Sequence, residues 1–184
     1  LDRGYLKFSI ESSQISLSRD MKKIFINFNV FEGKKYNISE AEVVGDIPLE
    51  EEVYSNIMDS LSGLTYSQAQ ITSIEEFFTN VLGNRGYAFA EVSGDPEIDE
   101  ESSEVKIIFT IAPGKRTYTR KILFSGNNIT QDHVLRREMR QFEGAWSSNN
   151  SIEAGKVRLE RLGYFKEVDV ETVPVPNTED QIDV

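Results

Sequence analysis

The chain has 184 residues, 39% hydrophobic and 28% charged, the composition of an ordinary globular protein. It has no apolar run long enough for a membrane-spanning helix, and its lack of cysteine excludes disulfides, thiolate metal sites and cysteine nucleophiles. The net charge of −11 is concentrated: residues 34–114 carry 4 basic and 16 acidic groups, whereas 115–184 carry 11 of each. Such a surface argues against nucleic acid or anionic lipid as a ligand. It serves solubility or recruits a basic partner.

Two alternating runs come first, Tyr5 to Ile10 and Ile24-Phe25-Ile26-Asn27-Phe28-Asn29-Val30, and predict a β-hairpin. Tyr36, Ile38, Ala41 and Val43 predict a short strand closing at Gly45-Asp46. Pro48 suits the first position of a helix, where a missing N–H is no loss. Leu49, Val53, Ile57 and Leu61 then recur at spacings of four, one apolar stripe that Ser62-Gly63 ends. Ser67 is placed to cap a second helix with Ile71, Ile74, Phe78, Val81 and Leu82 on its core face, broken by Gly83 and Gly86. A strand is expected over 87–93 and another over Val105 to Ile111. Asp95-Pro96 and the acidic stretch Asp99 to Ser103 read as the solvated loop between them.

The remainder repeats this order. Tyr118, Arg120, Ile122 and Phe124 form a first strand ending at Gly126-Asn127, and Thr130 can cap a helix carrying Val134, Leu135, Met139 and Phe142. A second helix carries Ile152, Gly155, Leu159 and Leu162; Tyr164, Phe165, Val168 and Val170 begin a second strand, and Gln181 to Val184 start a third. Three phrases mark the repetition: Arg3-Gly4-Tyr5, Arg85-Gly86-Tyr87 and Leu162-Gly163-Tyr164, with glycines 82 and 77 residues apart. Gly33 and Gly114, like Gly45 and Gly126, lie 81 apart. A period near 80 is that of a small domain, so the chain reads as a tandem α+β array of β-α-α-β-β units. Residues 1–33 form the terminal hairpin of a partial unit, 34–114 a complete unit, and 115–184 a unit lacking most of its last strand. Leu1 falls in mid-repeat, so a piece of a longer protein is expected, with the rest of the first unit upstream. Such an isolated hairpin is marginal in water and is expected to pack on the next unit or pair with another chain. Gly33-Lys34 and Gly114-Lys115 join consecutive units and are expected to act as hinges.

With a Gly-Tyr after the second helix, this array resembles POTRA domains, the periplasmic polypeptide-transport-associated modules of outer-membrane assembly factors. The most specific segment is Val134-Leu135-Arg136-Arg137-Glu138-Met139-Arg140-Gln141, followed by Glu143-Gly144-Ala145-Trp146 and Arg161-Leu162-Gly163-Tyr164-Phe165. It is similar to the fourth POTRA domain of such factors, and Leu1-Asp2-Arg3-Gly4-Tyr5 to the end of the second, which makes the middle unit a third. The resemblance implies three-stranded mixed sheets covered by two helices, in a non-catalytic scaffold at the periplasmic face of the Gram-negative outer membrane. It implies unfolded outer-membrane β-barrel precursors and accessory lipoproteins as partners, and no cofactor. The POTRA region of a related translocation or secretion pore, and a cell-division interaction module, stay open as alternatives.

The resemblance places the second strand at a sheet edge. Here that strand, Tyr87, Ala88, Phe89, Ala90, Glu91, Val92 and Ser93, has no lysine and meets Pro96 only at its far end. Edges guarded against pairing carry lysine, proline or bulges. Residues 87–93 are therefore a candidate for β-augmentation, in which an extended peptide adds as a strand; otherwise the small residues simply fit under the helices. Arg136, Arg137 and Arg140 are a candidate contact for an acidic partner, or else a solvated helix face paired with Glu138 or Glu143. His133, the sole histidine, reads as a surface residue, and without it a transition-metal site would need carboxylates alone. The acidic stretch 95–104 lacks the spacing of a calcium loop. No phosphate-binding loop or Ser-His-Asp pattern occurs, Trp146 reads as packing in the loop between helices, and no enzyme is expected.

Overall fold

The structure, a computed structural model, describes residues 3–18 and 21–184; Leu1 and Asp2, part of the Leu1–Tyr5 segment that carries a resemblance above, lie outside the described residues. The elements are β1 (Ser9–Leu17), β2 (Ile24–Phe31), β3 (Asn37–Gly45), α1 (Glu51–Leu61), α2 (Gln68–Asn84), β4 (Glu91–Asp99) and β5 (Glu104–Ala112). They continue as β6 (Tyr118–Lys121), α3 (Asp132–Arg136), α4 (Asn149–Arg161), β7 (Val173–Pro174) and β8 (Gln181–Asp183). The strands form a β1-β2 ribbon and two sheets ordered β3-β5-β4 and β6-β8-β7. In the last sheet β6 runs parallel to β8 and β7 antiparallel to it, so the sheet is mixed. Chain contacts divide the molecule into two compact units: Leu1–Val43 with Glu50–Ile74 and Gly94–Phe109, and Val44–Leu49 with Glu75–Ser93 and Thr110–Val184.

In the first unit, β1 and β2 pair antiparallel, with a register shift between Ile10 and Ser12. Ile24, Ile26, Phe28 and Val30 share one face with their cross-strand partners Leu17, Ile15, Ser13 and Ile10. All residues of both strands are exposed, and residues 1–33 meet the next repeat through the segment ahead of β1, where the Gly4 carbonyl accepts the Tyr36 N–H and Lys7 pairs with Glu100. The first strand begins at Ser9 rather than Tyr5, because the chain turns at Tyr5, whose carbonyl accepts the Phe8 N–H at 3.4 Å. On the central strand β5, burial alternates residue by residue: Val105, Ile107, Phe109 and Ile111 are inside, and Lys106 reaches Glu42 (2.9 Å) and Glu40 (3.5 Å) on β3.

Helix α1 starts later than Pro48 suggested. Glu50 is its N-cap and Pro48 stands ahead of it in the extended approach from β3. Met58 rather than Ile57 is the buried member of its middle turn. Helix α2 passes through Gly83 and ends at Asn84, so Gly83 is no breaker. It is small because a Cβ there would collide with the Asn149 amide.

The repetition extends to single hydrogen bonds. Ile38 N–H donates to the Leu64 carbonyl (2.7 Å), Gly63 to Ile38 (2.8 Å) and Tyr66 to Tyr36 (3.0 Å). Each recurs 81 positions on: Thr119 to Ala145 (2.9 Å), Gly144 to Thr119 (2.7 Å) and Ser147 to Thr117 (3.0 Å). The helix caps follow the same offset, the Ser67 hydroxyl accepting from Gln70 N–H at 3.4 Å and that of Ser148 from Ser151 N–H at 3.3 Å.

In the second unit, Ile122, Leu135, Met139 and Leu159 form a core against which Phe124, Leu162, Phe165, Val168 and Val184 pack. Helix α3 stops at Arg136, well short of Phe142, which is 67% exposed rather than in the core. Met139 leaves the helical path to lie against Gly155, where a Cβ would stand 2.9 Å from its sulfur. The expected strand at 164–170 is irregular chain, and β7 begins only at Val173. A cavity of about 550 Å³ lies there between Ile122, Phe124, Phe165, Val168 and Val184.

The short α3 is held by a charged clamp. Arg136 donates to Glu143 Oε1 (2.8 Å), Asp132 Oδ2 (3.1 Å) and the Ile122 carbonyl (2.9 Å), while Glu143 Oε1 also accepts the Ile122 N–H at 2.8 Å. That N–H and then Arg136 hold the Glu143 carboxyl below the usual carboxylate range, and Arg158 does the same for Glu138. A depressed folded pKa gives stability that is complete above the unfolded value and is lost as pH falls through the folded one. The last repeat should therefore loosen below a pH of roughly 4. Glu143→Gln should lower its urea midpoint at neutral pH and flatten this acid limb; an unchanged acid limb counts against the clamp. Gly45 has φ +110 and a Cβ there would strike the Ile111 carbonyl, whereas Gly126, its repeat equivalent, has open space. Gly45→Ala should cost about 3 kcal/mol and Gly126→Ala about 1 kcal/mol, compared by denaturant midpoints.

Candidate functional site

Strand β4 is an outer strand of its sheet, and it begins at Glu91. Of the expected edge, only Glu91, Val92 and Ser93 lie in it. Tyr87, Ala88, Phe89 and Ala90 form a turn instead: Tyr87 N–H returns to the Leu82 carbonyl (3.0 Å) and Ala90 N–H to that of Tyr87 (3.3 Å). The turn buries Ala90 and leaves Phe89 46% exposed. The strand runs on through the stretch expected to be a loop. Val92, Gly94 and Ile98 are half-buried while Glu91, Ser93, Asp95, Glu97 and Asp99 point outward, the period of two that defines a strand. The actual turn is 100–103, where Asp99 accepts from Glu101 N–H and the Ser102 hydroxyl, both at 2.9 Å. The edge is therefore not bare: it carries Pro96, tolerated at outer strands, and a row of carboxylates.

The three arginines separate. Arg136 is committed to the clamp and lies 5.5 Å from the Phe124 ring. Arg137, with its side chain 62% exposed, touches Glu138 at 3.2 Å, and Glu138 in turn takes Arg158 at 2.7 Å. Arg140 is exposed and falls beyond the end of α3, so it does not share a helical face with Arg136. His133 lies exposed on α3. Among the described residues no cluster of three His, Cys, Asp or Glu is placed to hold a metal, and no helix is long and apolar enough to cross a membrane.

At the expected hinges, Gly33 has φ +76 and Gly114 φ +67. Lys34 is exposed and Lys115 pairs with Glu179. Both linkers are spanned by bonds that sequence reasoning missed. In the first unit the Tyr36 N–H donates to the Gly4 carbonyl at 2.9 Å, and Lys35 sits 5.5 Å from the Tyr5 ring. In the second, the Gly86 carbonyl accepts from Thr117 N–H (2.7 Å) and Thr117 Oγ1 (3.0 Å), and Arg116 Nε donates to the Arg85 carbonyl (2.8 Å). Trp146 lies in the loop between α3 and α4, where the Arg116 guanidinium stacks over its ring at 4.3 Å, so it packs on a linker cation. Asn84 Oδ1 accepts from Asn150 N–H at 2.7 Å, which ties the end of α2 to the start of α4. The available signal was the repeated Gly-Tyr phrase itself, whose glycines supply these carbonyls.

A family profile described as the surface antigen variable number repeat, POTRA, matches twice, over residues 36–114 and 117–184. The whole chain is 32% identical to 23% of the outer membrane protein assembly factor BamA of Neisseria meningitidis serogroup B. Over 92% of its length it is 34% identical to BamA of Buchnera aphidicola, covering 28% of that protein. The chain thus spans about a quarter of the length of these relatives. The crystal structure of Haemophilus influenzae BamA POTRA3-5 superposes on the whole chain, and on 72% of its own, with a TM-score of 0.91 and 30% identity. That of Haemophilus ducreyi BamA lacking POTRA domains 1-3 matches 80% of this chain and 28% of its own, with a TM-score of 0.71 and 42% identity. A structure of POTRA3-5 matches the whole chain and one without POTRA domains 1-3 still matches 80% of it, so the likeness falls on domains three to five, one place later than the second to fourth implied above. Two consecutive profile matches coincide with β3-α1-α2-β4-β5 and β6-α3-α4-β7-β8, whose hydrogen bonds repeat at a fixed offset; the chain belongs to the POTRA family.

Proposed function

We propose that these repeats are part of a non-catalytic scaffold in an outer-membrane β-barrel assembly factor, at the periplasmic face of the Gram-negative outer membrane. There they receive unfolded β-barrel precursors and accessory lipoproteins. The likeness to BamA over the whole chain supports the setting. The observation that carries the binding mode is the outer position of β4. An outer strand accepts an added strand through its backbone, which makes recognition largely indifferent to client side chains. The segment best suited is 91–95, because Pro96 has no N–H to offer beyond it. Its outward carboxylates, Glu91 and Asp95, favour neutral or basic strands over acidic ones. Arg137 and Arg140, both exposed, are the surface offered to an acidic lipoprotein. The net charge of −11 fits neither nucleic acid nor anionic lipid.

A barrel-derived strand peptide titrated into isotope-labelled protein should shift the backbone amides of 91–95 ahead of all others. Changing its outward residues to glutamate should weaken binding by about tenfold. Unmoved amides at 91–95 remove the augmentation reading. In the full-length protein, Arg137→Glu with Arg140→Glu should reduce co-purification of a lipoprotein by about tenfold while leaving the fold intact. Undiminished co-purification assigns both arginines to solvated surface.

A further inference from the structure

We propose that Arg136 and Glu143 together act as a side-chain substitute for a neighbouring strand, closing the outer edge of β6 so that the last repeat takes no extended peptide there. The pair is a specificity device: it determines which sheet edges of the array can accept a strand. The inference stands whether or not 91–95 binds clients.

Strand β6 is an outer strand of its sheet. Its outward backbone groups are those of Thr117 just ahead of it, Thr119 and, after the register shift between Thr119 and Lys121, Ile122. Around that shift the inward groups go to the sheet: the Lys121 carbonyl accepts the Val184 N–H at 3.0 Å, and Leu123 N–H donates to the Val184 carbonyl at 2.8 Å. The α3–α4 loop covers the first two outward positions with its own backbone, at Gly144, Ala145 and Ser147. An added strand would have to enter at the third. In a hydrogen-bonded antiparallel pair, a neighbour gives such a residue one acceptor for its N–H and one donor for its carbonyl. Ile122 already has both. Glu143 Oε1 accepts its N–H at 2.8 Å, and Arg136 Nη2 donates to its carbonyl at 2.9 Å. Arg136 Nη1 also reaches Glu143 Oε1 at 2.8 Å, which couples the two side chains. A peptide pairing with Ile122 must displace both and break charge-assisted bonds to do so.

The middle repeat shows that the fold does not require this closure. Its loop makes the same bonds to Tyr36 and Ile38, and Ala41 stands 81 positions before Ile122. The residues 81 positions before Arg136 and Glu143 are Ser55 and Ser62. Ser62 Oγ donates to the Ser39 carbonyl at 2.9 Å, and a serine at 55 is too short to reach from α1 to the strand as Arg136 does from α3. Helix α1 still runs for 11 residues and β3 continues to Gly45. Anchoring α3 would need only the ion pairs of Arg136 with Asp132 and Glu143. The two bonds to the Ile122 backbone are the ones a strand would make. Protected edges commonly carry lysine, proline or a bulge; here side chains occupy the hydrogen bonds themselves.

The test is hydrogen–deuterium exchange in the full-length protein. A short synthetic strand of alternating valine and threonine is tethered by a disulfide to Ser125→Cys, an exposed position just past Ile122, which holds it at roughly millimolar effective concentration. With the clamp intact, exchange over 120–124 should be slow and equal with and without the tethered strand. Arg136→Ser with Glu143→Ser should speed exchange of that segment about tenfold, and the tethered strand should restore the slow rate. Glu143→Ser alone, which frees only the Ile122 N–H, should show the same acceleration and replaces the double variant if the segments holding Leu135 and Leu159 reveal a loosened core. A clamp-free segment that the tethered strand leaves unprotected overturns the inference. So does a strand that slows 120–124 equally while the clamp is intact.

Discussion

The organisation of this chain rests on a carbonyl that leaves a helix in the wrong direction. A helix normally spends its last carbonyls on water or on a cap. At Gly86 the positive φ, accessible to glycine without penalty, swings the carbonyl outward, and the first strand of the next repeat binds it through Thr117. A single hydrogen bond contributes about 1 kcal/mol. Here it is flanked by the Arg116–Trp146 stack and the Asn84 cap, so three weak contacts act on the same linker. The linker glycines retain permissive backbone angles, but the chain on either side of them is tied.

The ribbon β1-β2 isolates what the helices contribute. Ile24, Ile26, Phe28 and Val30 correspond at the 81-residue offset to Val105, Ile107, Phe109 and Ile111. The residue types are nearly the same, yet the first four are 45% to 64% exposed and the second four at most 2%. Alternation determines which side chains share a face. Burial of that face requires the helix pair, which the middle repeat supplies and the ribbon lacks within this chain. At about 25 cal/mol per Å² of apolar surface removed from water, that difference is the main stabilising contribution to the complete repeat.

Much of the fold was legible in the sequence because its signals are local. The Ser67 cap, the Ser62-Gly63 stop and the alternation of β5 each lie within a short window, and each is found in the structure. The failures have two physical causes. Asp and Pro are turn formers and Glu is depleted in strands, so 95–99 read as a loop; at an outer strand facing water the acidic residues satisfy the outward period of two. The joints failed for a different reason. Thr117 meets Gly86 across 31 positions and Asn84 meets Asn150 across 66, and no propensity or local pattern reports on such pairs. Helix α3 combines the causes: its stripe continues on paper to Phe142, but Met139 is claimed by Gly155 and Glu143 by Ile122.

Moving the edge from 87–93 to 91–99 changes what the strand can discriminate. A bare edge of alanines would pair with any extended chain, including a second copy of itself. An edge with Pro96 in its middle and carboxylates along its outward side offers backbone pairing over half its length only. Two such strands brought side by side would set like charges opposite one another, which opposes self-association. The acidity of residues 34–114 thereby acquires a structural role. Under the proposed augmentation it would leave one edge open to strands of other charge while keeping copies of this repeat apart.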